Sequence, residues 1–176
     1  MSYDTCAICH KQGKGCCFIK TANNSLHIGI FLDDIKKIES HLNVDRDYFI
    51  EVDSIDSILR EFLSNTIHPV FDKIFYQNTR HKLKTIDDKC IFLTDTGCKL
   101  PTEIRPLYCR IYPFWLSYDN KHINVLSSDE CLAQEQSTLS WHIVNQHFGC
   151  TEEYLRDLFA QVLLYAEQHV KGLQGE

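Results

Sequence analysis

Nine cysteines are spread along this chain of 176 residues: Cys6, Cys9, Cys16, Cys17, Cys90, Cys98, Cys109, Cys131 and Cys150. Cys6-x2-Cys9 is the sharpest local signal. Two thiolates at that spacing grip one ion from a single turn, as in zinc knuckles and ferredoxin loops. A thioredoxin-like redox pair shares the spacing, but it expects a strand before it and a helix after it. Here a loop containing Gly13 and Gly15 follows instead. Cys16 and Cys17 are adjacent. In extended backbone neighbouring side chains point to opposite sides, so such a pair serves two sites or needs a turn to face one. The alternative is one ligand and one buried cysteine packed as a small hydrophobe.

Cys90, Cys98, Cys109 and Cys131 form a second, irregularly spaced group. Zinc modules of the usual kind pair two close-set knuckles, and only one knuckle exists here. Clusters of iron and sulfide accept thiolates from scattered loops, which favours an iron–sulfur cluster over zinc. Zinc stays open, because it takes any four thiolates that reach a tetrahedron. Arg105 and Arg110 flank Cys109 and are candidates to offset the charge of a thiolate-bound metal and donate to sulfur. The plain alternative is two surface arginines in ordinary ion pairs. Phe18, Phe92, Tyr108, Tyr112 and Phe114 sit near cysteines and either exclude water or are simply core. His10 is the best placed of the nine histidines, but eight cysteines make it unnecessary.

The bulk numbers narrow the function classes. The formal net charge is −6. Eight thiolates around two divalent ions would take it to about −10. Duplex-binding proteins show a basic excess, so nucleic acid is not the expected partner. The opening residues Met1 to Cys6 have neither a basic nor an apolar leader, and no stretch is apolar enough for a bilayer. The expectation is a cytoplasmic protein with no membrane partner, whose reduced thiols bind metal.

The elements that would position these groups read as one domain over 1–176. It comprises an N-terminal cysteine loop (6–17), a second cysteine-rich segment (89–131) and C-terminal helices (132–170). A short strand is expected over His27–Leu32. Asp33 or Asp34 would cap a helix carrying Ile35, Ile38 and Leu42. Val44–Val52 predicts a short helical piece, and Ser54–Ser64 a helix with Ile55, Ile58, Leu59, Phe62 and Leu63 on one face. Three of the four prolines fall in Lys89–Phe114, which predicts irregular structure there. A hairpin is expected around Asp119-Asn120. Helices are expected from Leu132 to His147, ended by Gly149, and after a Thr151 cap, with an apolar stripe from Tyr154 to Ala166. The fold class is mainly α with irregular cysteine-rich loops and a small β-hairpin, α+β overall, its helices packed around a metal-bound cysteine cluster.

The run Cys90-Ile91-Phe92-Leu93-Thr94-Asp95-Thr96-Gly97-Cys98, followed by Arg105-Pro106-Leu107-Tyr108-Cys109-Arg110-Ile111-Tyr112-Pro113-Phe114, resembles the CxxCxxCC (YkgJ-like) family of zinc- or iron-chelating proteins. The resemblance spans Cys6 to Cys131, and Ile30–Ile35 is similar to the family's link into its first helix. Six residues separate Cys9 from Cys16 where the family pattern has two. Cys150 lies outside the pattern. The resemblance implies metal ligation by Cys6, Cys9, Cys16, Cys17, Cys90, Cys98, Cys109 and Cys131. More distantly, the pattern is similar to the cysteine cluster of flagellin lysine-N-methylase.

Three functions follow as expectations. One is a metal-binding protein with a structural, redox or metal-handling centre. A second is an iron–sulfur-dependent enzyme or accessory subunit modifying a protein or peptide partner. A third is a zinc-stapled interaction domain. No glycine-rich nucleotide fingerprint is present, so the chain does not read as a self-contained methyltransferase.

Overall fold

A computed structural model describes residues 8–9, 11–13, 16–17, 29–75, 78–117, 119, 121–125, 140–146 and 148–174. Helix α1 (Leu32–Leu42) carries Ile35 and Ile38 inward and ends at Asn43 in the left-handed conformation. Its entry differs from the expected acidic cap. The N-cap position is Phe31, with no side-chain cap, and Asp33 and Asp34 lie in the first turn. The orphan Leu32 N–H donates instead to Nδ1 of His169, 137 residues away. No strand forms over Gly29–Leu32, and residues 27–28 lie outside the described ones. Gly29 has φ +97°, which breaks an extended run, and Ile30 N–H makes an isolated bond to the His81 carbonyl at 2.8 Å.

Val44–Val52 is helical only in its first half. Asp45 caps a short 3-10 turn, Arg46–Tyr48, and strand β1 (Ile50–Ser54) follows. It pairs antiparallel with β2 (Thr79–Leu83), Ile50 opposite Leu83 and Ser54 opposite Thr79. Ladder bonds and half-burial outweigh local helical preference here. Cross-strand charges support the pair, Lys82 reaching Glu51 and Asp53 at 3.2 Å each and Arg80 reaching Asp53 at 3.4 Å.

The next helix, α2 (Ser57–Phe62), runs into a π-helical turn, Leu63–Ile67. Its expected apolar face is split. Ile55 and Leu63 are buried, while Ile58 is 76 % and Phe62 39 % exposed. Ile55 precedes the helix and donates its N–H to the Asn78 carbonyl, so it belongs to the end of the ladder. Helix α3 (Val70–Ile74) follows Pro69.

The proline-rich segment is irregular, as expected, with minimal strands: β3 (Thr85–Ile86) with β4 (Lys89–Cys90), and β5 (Leu93–Thr94) with β6 (Gly97–Cys98). Helix α4 (Leu107–Ile111) starts after Pro106. The hairpin forms between β7 (Phe114–Leu116) and β8 (Ile123–Val125). Ser117 and His122 bridge its wider turn, the Ser117 N–H donating to the His122 carbonyl.

Helix α5 covers Trp141–Asn145, and positions 132–139 of the expected longer helix lie outside the described residues. Thr151 Oγ1 accepts from Tyr154 N–H at 3.1 Å and opens the long α6 (Glu152–Gln174), with Glu152 and Glu153 at its positive end. Leu155, Leu158, Phe159, Val162 and Ala166 are its buried stripe. The result is an α+β fold with two apolar clusters. One gathers α3, α4, α5 and the hairpin on α6; the other gathers α1, β1, β2 and the Cys90–Leu100 segment. No described helix is long and apolar enough to cross a membrane.

Segment 29–32 is clamped between β2 and α6, and two predictions arise from it. A Cβ at Gly29 would sit 3.1 Å from the His81 carbonyl oxygen, at a φ that side chains avoid. Gly29→Ala is expected to destabilise the fold by about 1–3 kcal/mol. An unchanged urea midpoint would refute that strain.

His169 is 4 % exposed, its ring edge-on to Phe31 and to His81. Burial first, then the neighbouring His81, lowers its pKa to about 4. The folded pKa lies below the free value near 6.5, so the unfolded chain binds the proton more readily. His169 therefore contributes its full stability above about pH 6.5 and loses it as the pH falls toward 4, a change of roughly 2–4 kcal/mol. In His169→Gln, which keeps an acceptor for Leu32, the slope of stability against pH across that window should drop by about 1.4 kcal/mol per pH unit. Chemical denaturation at stepped pH measures it, and an unaltered slope would eliminate the titration.

Candidate metal centre

Three separate stretches of chain deliver thiols to the boundary between the two apolar clusters. Cys16 and Cys17 arrive in a turn, which answers how adjacent cysteines can face one place. That turn is tied to the second segment by Cys90 N–H donating to the Cys17 carbonyl at 2.9 Å. Cys90 is buried on β4 opposite Thr85, and Cys98 lies on β6 opposite Leu93. Cys17, Cys90 and Cys98 all belong to the α1 cluster. Cys109 comes from α4 on the other side and packs against the α6 cluster.

The five thiols feel one another. The Cys17 thiol donates to the Cys16 sulfur, and this bond, opposed by burial and aided by Arg105, makes Cys16 the easiest of the five to ionise. Cys17 is pushed well up by giving that bond, then by burial and by repulsion from Cys16, Cys90 and Cys109. Burial pushes Cys90 up to about 12, with Cys98 and Cys16 adding to it. Burial also raises Cys98, against the pull of Arg105. Cys109 is raised well above the usual thiol range by burial, then by Cys16, Cys90, Cys98 and Asp34. Burial and mutual repulsion oppose ionisation of Cys17, Cys90, Cys98 and Cys109, and a bound dication would reverse that balance.

Arg105 is the cation built into the site. It is 6 % exposed, donates through Nε to the Leu100 carbonyl at 2.9 Å, and hydrogen-bonds to Cys98. Arg110 is half-buried and its Nε meets no hydrogen-bond partner among the described residues; its charge acts on Asp34.

Asp34 is a member of this neighbourhood that the sequence reading placed elsewhere, as a helix cap. It is 2 % exposed, and its Oδ2 accepts from Leu107 N–H at 3.2 Å, tying α1 to the start of α4. Burial raises its pKa to about 7, against the pull of the Leu107 N–H, Lys37 and Arg110. The only available signal was a second acid in the first turn of a helix whose cap needed one at most.

Cys9 is half-buried in a helical turn closed by Gln12 N–H on the Ile8 and Cys9 carbonyls. Cys6, Cys131 and His10 lie outside the described residues. Cys150 sits in the α6 cluster, held by Asn145 and directed at the Phe148 carbonyl. All seven described cysteines are unbridged. Among the described residues, no group of three or more Cys, His, Asp or Glu is placed so that it could hold a metal ion. Cysteine sulfurs are soft donors of the kind a thiophilic metal takes. No family model, curated protein or solved structure matches this chain.

Proposed function

We propose that this is a cytoplasmic metal-binding protein, similar to the CxxCxxCC family, whose cysteines hold an iron–sulfur cluster or, failing that, zinc. The observation carrying this reading is the grouping of five mutually repelling thiols from three chain segments, two of which, Cys16 and Cys98, feel one buried arginine, Arg105. Side chains that raise each other's pKa oppose folding unless something compensates, and a metal does so most directly. Cys16, Cys17, Cys90, Cys98 and Cys109 would supply the ligands, with Cys6, Cys9 and Cys131 completing them. Arg105 would offset the charge of the bound centre.

The centre would supply a cross-link between the two apolar clusters, or one-electron chemistry if it holds iron. The chain's own part is to keep water out with Phe92 and Tyr108, orient the sulfurs through Arg105, and hold Asp34 beside Cys109 as a buried proton acceptor. Asp34 is also the feature that favours the second reading, an enzyme or subunit modifying a protein or peptide. A carboxyl with a pKa of about 7 is suited to proton transfer.

Anaerobic purification with metal and sulfide analysis tests the proposal. Iron with sulfide and absorption near ~400 nm is expected; stoichiometric zinc in a colourless protein would support the metal centre but replace iron. A folded protein holding neither would end the reading.

A further inference from the structure

An open cleft of about 510 Å3 runs along the solvent face of α1, within the roughly 300–1,000 Å3 range of small-ligand sites. α1 supplies Asp33, Lys36, Lys37, Ser40 and His41, which three- and four-residue spacing places on one face. Ile104, before α4, and Tyr165, on α6, complete the walls. Lys37 Nζ stands 4.9 Å from the centre of the Tyr165 ring, so cation and aromatic face are already matched. Neither Lys36 nor Lys37 forms an ion pair among the described residues. Two ammonium groups face a single carboxylate, and the Ser40 hydroxyl and the His41 ring add polar donors. Ile104 and Tyr165 offer an apolar strip for a flat group. Asp33 and the chain's net charge of −6 count against an extended polyanion.

We propose that this cleft binds a small aromatic oxyanion, a carboxylate or phosphate ester on a flat ring, with Lys36 and Lys37 holding the anionic group. The inference stands apart from the metal reading, since none of the cleft residues is a candidate ligand.

Phenyl phosphate, benzoate, phenol and inorganic phosphate would each be titrated into the full chain as purified, followed by amide chemical shifts in α1 and at Tyr165. Saturable shifts are expected for phenyl phosphate, benzoate or both, and whichever binds tighter identifies the anionic group. Phenol and inorganic phosphate, each lacking one half of the recognition, should bind at least about tenfold more weakly. Lys36→Ala with Lys37→Ala, the first exposed and the second half-buried, should weaken the better anion by at least about tenfold. The proposal is overturned if neither ring-bearing anion saturates by about 10 mM, if the double variant binds as well as the parent, or if phenol or inorganic phosphate competes on equal terms.

Discussion

Cys109→Ala is expected to lose its metal and its solubility together, whereas Cys150→Ala keeps both. Each side chain is a cysteine packed against the α6 cluster, so the two substitutions remove nearly the same amount of buried sulfur. The cavity cost alone is of order 1–2 kcal/mol in either case. What differs is the surroundings. Cys109 is the α4 member of the thiol group and feels Cys16, Cys90 and Cys98, while Cys150 is directed at the Phe148 carbonyl. A structural metal contributes roughly 10–16 kcal/mol in small zinc-bound peptides, more than the whole stability of most domains. Removing one thiolate from such a centre should therefore cost several times the cavity term. Metal content per chain, together with the urea midpoint, reads both effects. A Cys109→Ala protein that stays folded and fully loaded would take Cys109 out of the centre. Equal losses in both variants would reduce the contrast to packing.

The three readings that survived best in the fold are those resting on local chemistry. The α1 stripe of Ile35 and Ile38 is buried, Thr151 caps α6, and the hairpin stands between Phe114 and Val125. Each is decided within a few residues by side-chain spacing or a single hydrogen bond. The misreadings are all tertiary. Strand β1 has no local reason to be extended until β2 arrives from Thr79, some 30 residues on. Ile58 and Phe62 look like core by period, but the π-helical turn after Phe62 changes the register and Ile55 is taken by the strand end. The entry to α1 shows the same limit, since its cap is a histidine from the far end of the chain.

The thiol group was legible as residue types and illegible as geometry. Cys90, Cys98 and Cys109 announced themselves by composition, yet nothing in their spacing says that Cys90 hydrogen-bonds to Cys17 through the backbone. Arg105 and Arg110 looked equivalent beside Cys109. They separate only in space, Arg105 turning inward to Leu100 and Cys98 while Arg110 acts on Asp34. Asp34 reads as a helix-start acid because its partner, the Leu107 N–H, lies 73 residues away.

Arg105 is where the electrostatics of the site can be tested without touching a thiol. Its guanidinium is buried at 6 % exposure, satisfies the Leu100 carbonyl, and adds to the Cys17 hydrogen bond in drawing Cys16 toward ionisation. Arg105→Gln keeps a polar side chain but removes the cation that favours the ionised forms of Cys16 and Cys98. Breaking a buried charge arrangement by deleting one partner costs about 3–5 kcal/mol. Arg105→Lys keeps the charge but loses the planar fork that serves oxygen and sulfur together, so it should fall between the parent and Arg105→Gln. A surface arginine in an ordinary ion pair would cost at most about 1 kcal/mol and would be screened by salt. Denaturation midpoints at low and high salt, with metal content measured in parallel, separate the cases. A large, salt-insensitive loss in Arg105→Gln accompanied by weaker metal retention places the guanidinium against the bound centre. A variant within about 1 kcal/mol of the parent, equally loaded, would mean that the thiols hold their charge without it.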